Sequence, residues 1–331
     1  MKRIAFILLF ITLAAVITVY TVTVRHVDND LPIKESQFYT VSKGSSFNSV
    51  VANLIKQQWL ETSLWLKLYS KLHPEITEIK AGTYKLPEQL TIKQLFAILV
   101  AGEEHQFKIT FVEGSTFKEW FIQLAETEHV QSTLADKSYQ QILSTLESEH
   151  KHPEGLFFPD TYQFISGTKD IDILKQAYQR MAAELDESWQ GRAKNLPYKN
   201  TYEVLIMASM VEKETAKISE QPLISAVFIT RLAKRMRLQT DPTIIYGLGE
   251  RYTGDITYAN LREKTAYNTY RINGMPPTPI AMPGKSAIEA SLHPANSPFL
   301  YFVSKGNGEH HFSTTLAEHN NAVNKYIRGK K

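Results

Sequence analysis

The sequence predicts a mixed α+β protein behind a single N-terminal transmembrane helix. Three observations carry this reading. Residues Ile4 to Val24, "IAFILLFITLAAVITVYTVTV", hold no charge. Beyond them, helical and strand-like segments alternate without the regular βαβ rhythm of a parallel sheet. No glycine-rich loop follows a strand, which removes the signature of a doubly wound nucleotide-binding fold. The chain has 331 residues, 43% of them apolar, enough for one large domain or two to three modest ones with real cores.

As a helix, Ile4 to Val24 would reach ~30 Å, one hydrocarbon core. Lys2 and Arg3 precede it, whereas Arg25 is followed by Asp28 and Asp30. The positive-inside bias leaves the N-terminus in the cytoplasm and the rest outside, as in a bacterial periplasm. A secretory signal would have a shorter apolar stretch and a small-residue cleavage site, and neither "VYTVTV" nor "RHVDND" offers one. Residues 1–3 therefore read as a cytoplasmic tail, 4–24 as an uncleaved anchor and 25–38 as a polar linker.

Tyr39 to Ser42 reads as a strand, Gly44 to Ser46 as a turn, and Phe47 to Gln57 as a helix with Phe47, Val50, Val51, Leu54 and Ile55 on one face. A second helix covers Thr62 to Leu72 and ends before Pro74. Gly82 opens a strand in "AGTYKL", and "TIKQLFAILVAG" is a helix stopped by Gly102. "SKGSSFNSVVANL" (Ser42 to Leu54) and "VEGSTFKEWFIQL" (Val112 to Leu124) share one pattern: turn glycine, hydroxyl N-cap, amphipathic helix. Two copies are too few for a solenoid, and two independent strand–turn–helix starts explain them as well as duplication does.

From His152 the texture changes. "PEGLFFPDTYQF" is a loop, "DIDILKQAYQRMAAELDESWQ" an amphipathic helix, "TYEVLIMASMVEKET" another helix, and Gln221 to Lys234 a third. The last hundred residues are rich in turns such as "TDPT" and "NGMPPTPIAMPG". "FLYFVSKGNGEHHFS" reads as a hairpin turning across Gly306 to Gly308, and Thr315 to Ile327 as a closing helix.

Several chemistries are disfavoured. The net charge is only +3, and the one basic run, "RLAKRMR" (Arg231 to Arg237), reads equally as the solvated face of a helix, so no nucleic-acid partner is expected. Without cysteine there is no disulfide, thiolate nucleophile or Cys-based metal site, a composition that also suits an oxidising compartment. His310, His311 and His319 fit no metal-ligand spacing, and adjacent strand histidines point to opposite faces. Neither metal nor cofactor is expected, and no G-x-S-x-G elbow occurs.

The acids are more informative. In "ASMVEKETAKISEQ" (Ala208 to Gln221), Glu212 and Glu214 end an apolar run on nearly opposite helix faces. Val211, Met210 and Met207 precede Glu214 on its face, whereas Ser209, Ala208 and Leu205 precede Glu212. A carboxyl over an apolar stripe is desolvated and its pKa rises, as a general acid near neutral pH requires. The pattern tilts to Glu214 but leaves open that both are surface charges paired with Lys213 or Lys217. Asp241, in "RLQTDPTIIYG", is either a second acid or an orienting residue, or an Asx-turn before Pro242. "TAYNTYRINGMPPTPIAMPG" interleaves amides, hydroxyls and tyrosines in a way that suits a sugar polymer, as well as any long surface loop.

Together, "AGTYKL", "FVEGST", "EGLFFPDTY", "ASMVEKET", "RLQTDPTIIYGLG", "TAYNTYRINGMPPTPIAMPG" and "HPANSPFLYFV" resemble, in that order, the endolytic murein transglycosylases, the YceG-like family. The resemblance runs over nearly the whole chain. It implies a bitopic inner-membrane protein with a LysM-like subdomain at 39–105 and a catalytic region at 106–331, its core at about 152–331. The implied reaction is non-hydrolytic cleavage of the β-1,4 bond between N-acetylmuramic acid and N-acetylglucosamine, leaving 1,6-anhydromuramic ends on peptidoglycan glycan strands. Peptidoglycan synthases are the implied neighbours.

By the same resemblance the second glutamate of Glu-Lys-Glu-Thr, here Glu214, is catalytic. Gln239, Thr240, Asp241, Thr243, Asn268, Thr269 and Tyr270 are expected in the substrate cleft. The alternatives are a hydrolase using Glu214 with Asp241, or a tethered glycan-binding protein without turnover. The LysM-like match is looser, since Ser45 stands where an acid is usual.

Overall fold

The computed structural model describes residues 2–330. Two compact units form: one from residues up to 107 with 164–167, the other from 108–163 and 168 onward.

The first unit contains α1 (Lys2–Val27), β1 (Gln37–Val41), α2 (Phe47–Lys56), α3 (Leu64–Leu72), β2 (Gly82–Leu86) and α4 (Ile92–Ala101). Antiparallel β1 and β2 place Tyr39 opposite Tyr84. The Ser46 hydroxyl caps α2, and Thr91 with Gln94 forms a reciprocal capping box on α4, whose end is closed by left-handed Gly102. Helix α1 is long and apolar enough to cross a membrane, and most of its side chains are uncovered. Its last turn differs, because Val27 joins Leu31, Ile33, Leu54, Tyr84 and Leu95 in the core of this unit.

Within residues 25–38, expected to be a polar linker, Val27, Leu31 and Ile33 are buried in this core while most of the polar side chains between them stay exposed. The Leu31 N–H donates to the Leu90 carbonyl at 2.8 Å and the Ile92 N–H to the Asn29 carbonyl at 3.1 Å. Flanking aspartates and lysine masked two apolar anchors. Helix α3 starts at Leu64 rather than Thr62, because the Thr62 hydroxyl accepts from the Leu64 N–H and caps the turn from outside.

The second unit follows with β3 (Phe107–Thr110), α5 (Phe117–Glu126), β4 (Val130–Gln131), α6 (Tyr139–Thr145), β5 (Thr161–Phe164), β6 (Thr168–Lys169) and α7 (Asp170–Gln190). Then come α8 (Thr201–Glu214), α9 (Gln221–Ala233), α10 (Asp241–Leu248), α11 (Tyr258–Arg262), α12 (Lys285–Leu292), β7 (Tyr301–Ser304), β8 (His310–Ser313) and α13 (Leu316–Tyr326). Strand pairs form between β3 and β5, β4 and β6, and β7 and β8. Thr116 caps α5 with Glu119 in return, so the hydroxyl of each repeated motif caps its own helix.

Helix α8 is the axis of this unit. Every residue from Val204 to Val211 is buried, and α7, α9, α10 and α12 surround it. A helix apolar all round belongs at such a centre. Helix α12 escapes a periodicity reading because "KSAIEASL" is short, small-sided and set among turns. "TDPT" is the start of α10 rather than a plain turn, with Pro242 in the first helical turn where a missing N–H costs nothing. The expected hairpin is present as β7 and β8, with Ser304 opposite His310, and α13 packs on it.

Candidate active site

Because α8 is buried on all sides from Val204 to Val211, an apolar stripe does not separate its two terminal glutamates. What each carboxyl meets beyond the helix does. Glu212 Oε2 accepts from the Gly284 N–H at 3.0 Å, at the N-terminus of α12. Glu214 Oε1 accepts from the Thr240 hydroxyl, at the N-terminus of α10. Lys213 reaches the Gly114 carbonyl at 3.0 Å and Lys217 reaches Glu309 at 2.5 Å. Among the described residues, neither lysine forms an ion pair with Glu212 or Glu214, so the surface-pair alternative does not hold.

Glu214 opens onto a cleft of about 510 Å³, a size that suits a small-molecule or sugar ligand. Burial pushes its pKa up to about 7, helped by Asp241 and opposed by the Thr240 hydrogen bond and the Arg231 charge. Part of its carboxyl population is thus protonated near neutral pH, as proton donation requires.

The support behind Glu214 is a threonine cluster. The Thr240 N–H donates to Thr269 Oγ1 at 3.0 Å, and the Thr243 hydroxyl donates to the Thr240 carbonyl at 2.7 Å. Thr243 and Thr269 share a hydroxyl contact at 2.9 Å. Gln239, the residue before, sits in the left-handed region at φ 53°, a strained conformation for a non-glycine that its surroundings must hold. Its N–H donates to the Thr269 carbonyl at 3.2 Å.

Of the residues expected in the cleft, Gln239, Asp241 and Tyr270 line it with Glu214. The Tyr270 hydroxyl donates to Asp241 Oδ1 at 2.7 Å. Thr240, Thr243 and Thr269 are buried behind this wall. Asn268 does not line the cleft: its amide donates to the carbonyls of Asn260 and Glu263 at 3.0 and 2.7 Å, and its Oδ1 accepts from the Tyr270 N–H at 3.0 Å. It braces the loop that presents Tyr270.

The rest of the cleft wall comes from residues that a reading around Glu214 misses. Arg231, taken as part of a solvated basic face, is only 7% exposed. Its Nε donates to the Leu300 carbonyl and its Nη1 to the Leu238 carbonyl, both at 2.7 Å. The Tyr301 ring lies 5.1 Å from the guanidinium. Burial lowers the Arg231 pKa, while Tyr301, Tyr270 and Glu214 work to raise it. Tyr301, Phe302 and His310 of the hairpin and His319 and Asn320 of α13 are among the other residues that line the cleft. His310 Nδ1 is hydrogen-bonded to Glu220 at 2.8 Å, which fixes the ring. This wall is distant from Glu214 in sequence, and no local pattern announces it.

Another acid, the buried Glu154, accepts from the Phe117 N–H at 2.9 Å and from the Tyr246 hydroxyl at 3.0 Å. Burial raises its pKa to about 7. Its signal was a lone acid inside the otherwise apolar "EGLFFP". Among the described residues, no group of three or more His, Asp or Glu side chains is placed to hold a metal ion.

One carboxyl carrying a proton near neutral pH, a hydroxyl on one of its oxygens, a cation nearby and aromatic walls can protonate a leaving oxygen and then accept a proton back. A model of the YceG-like family matches residues 39–325. A Bacillus subtilis (strain 168) protein named endolytic murein transglycosylase is 30% identical over 320 residues, covering 90% of this chain and 88% of that one. A Streptococcus pneumoniae (serotype 2, strain D39) protein of the same name is 27% identical over 92% of this chain, which spans 61% of its length. The crystal structure of a YceG-like protein from Listeria monocytogenes superposes with a TM-score of 0.54 at 28% identity, over 87% of this chain and 99% of that one.

Proposed function

The chain belongs to the YceG-like family, and we propose that it is an endolytic murein transglycosylase in which Glu214 alone serves as acid and then base. The observation that carries the assignment is the Glu214 carboxyl, held by Thr240 at the floor of the cleft and poised near neutral pH by burial. Protonated Glu214 gives its proton to the oxygen leaving from C1 of the muramic sugar as the glycosidic bond breaks. The same carboxylate then takes the proton of that sugar's own 6-hydroxyl as its oxygen bonds to C1, closing a 1,6-anhydro ring. No water is consumed, and Glu214 ends protonated as it began.

A glycosidase that uses water needs a second carboxyl as base or nucleophile. Asp241 is engaged by the Tyr270 hydroxyl, which supports a positioning role for it. Arg231 offers a positive charge to Glu214 in its ionised state, and the rings of Tyr270, Tyr301 and Phe302 supply faces for pyranose stacking. Gln239, Thr243, Asn268 and Thr269 would shape the cleft directly or by bracing its loops.

The anchor reading places α1 in the inner membrane with Lys2 and Arg3 in the cytoplasm and the second unit in the periplasm. The opening strand, turn and capped helix of the first unit support a LysM-like subdomain. So placed, the enzyme would meet glycan strands close to the membrane where synthases extend them.

The test is digestion of purified peptidoglycan by the full chain in detergent. Soluble fragments with 1,6-anhydro ends are expected from the native protein and none from Glu214→Gln at an unchanged unfolding temperature. Cleavage that survives the substitution would refute the assignment, and binding to sacculi without any soluble product would favour a non-catalytic tether.

A further inference from the structure

Helix α3 is apolar on two sides. Leu66 and Tyr69 are buried in the core of the first unit. Leu64, Leu68 and Leu72, one helical turn apart, form a second stripe, and Leu64 and Leu72 remain 54% and 55% exposed. Part of this stripe faces the membrane helix. Leu68, Lys71 and Leu72 line, with residues from Ala15 to Thr23 of α1, an open, mostly apolar groove of about 420 Å³.

The length of α1 fixes where that groove lies. A hydrocarbon core of ~30 Å takes about 20 helical residues. The uncharged stretch, bounded by Arg3 and Arg25, is just that long, so Val24 marks the outer boundary. Ala15 then lies about 13 Å inside it at ~1.5 Å per residue. Sliding α1 outward until Ala15 cleared the lipid would leave too short a span and draw Arg3 into the hydrocarbon, which is costly. A helix packed beside Ala15 to Thr23 is therefore at membrane depth.

We propose that α3 is embedded in the periplasmic leaflet, with Leu64, Leu68 and Leu72 against phospholipid acyl chains. The exposed Lys67 and Lys71 extend their stems along this apolar layer and place their ammonium groups among anionic headgroups. The sequence "LWLKLYSKL" has the leucines, aromatics and lysines of an interfacial helix. The proposal rests on α1 being a membrane anchor. It makes the first unit a body seated in the bilayer surface rather than one swinging on a tether.

The chain has no cysteine, so single nitroxide labels can be placed in the full-length protein. Leu68→Cys and Leu72→Cys, reconstituted in phosphatidylethanolamine and phosphatidylglycerol vesicles, are compared with Leu9→Cys within the span and Tyr258→Cys, which is 82% exposed in the second unit. Collision with oxygen is expected to exceed collision with a water-soluble nickel chelate at positions 68, 72 and 9, and the reverse at 258. Nickel-dominated collision at 68 and 72 with a lipid-like Leu9→Cys would overturn the proposal and leave the anchor standing. An aqueous signal at Leu9→Cys would overturn both.

Discussion

The Thr240 hydroxyl donates to the Glu214 carboxyl, so the residue leading α10 holds the residue that ends α8. That bond favours the ionised form and opposes the rise caused by burial. Thr240→Val keeps the shape and removes the donor, so the Glu214 pKa climbs further. With protonated Glu214 as the proposed acid, the alkaline limb of the pH profile should move to higher pH. Loss of positioning should cost about 1 kcal/mol, roughly tenfold or less in kcat. Rates of anhydro-end release across pH measure both.

Two charges pull on Glu214 in opposite directions. Asp241 raises its pKa and Arg231 lowers it. Asp241→Asn should therefore shift the alkaline limb to lower pH, whereas Arg231→Gln should shift it to higher pH. Shifts of the same sign in both variants would contradict the electrostatic account of the cleft.

Glu212 anchors α12 through the Gly284 N–H. Glu212→Gln retains a carbonyl acceptor and should leave product formation intact. Glu212→Ala strands the amide and should lower stability by about 1 kcal/mol, read as an earlier denaturant midpoint with anhydro product still formed.

Much of the fold was legible because its signals are local. Ser46 and Thr116 as caps, Gly102 as a stop and the Tyr301–Ser313 hairpin follow from neighbouring residues alone. Leu31 and Ile33 were hidden in a polar segment, and α12 in a turn-rich one, because tertiary burial decides both. The candidate site divides the same way. Motif context singled out Glu214, Asp241 and Tyr270, whereas Arg231 and the hairpin wall reach the cleft only through folding. The stripe only tilted toward Glu214 over Glu212, since Val204 to Val211 are all buried and the partners that distinguish the two, Thr240 and Gly284, are remote in sequence.

Glu154 links stability to pH. Its folded pKa, about 7, lies above the ordinary 4.5. Between these values the folded state holds a proton that the unfolded chain has released, so stability falls as pH rises. The contribution is full below about 4.5 and gone above about 7, on the order of 3 kcal/mol. Glu154→Gln should flatten that part of the profile, seen as a smaller difference between denaturant midpoints at pH 5 and pH 8.

Glu220 holds the hairpin wall by accepting from the His310 N–H and fixing its ring. Glu220→Ala should loosen that wall and raise KM for glycan more than it lowers kcat, by about tenfold for loss of a charge-assisted bond. Glu220→Gln should recover most of the loss.

The central claim is that Glu214 delivers the sugar's own hydroxyl, not water, to the anomeric carbon. Digestion in water enriched in heavy oxygen, followed by mass spectrometry of the new ends, tests it directly. Anhydro ends free of heavy oxygen are predicted, and their loss in Glu214→Gln. Reducing ends that carry the heavy isotope would contradict the account and identify a hydrolase.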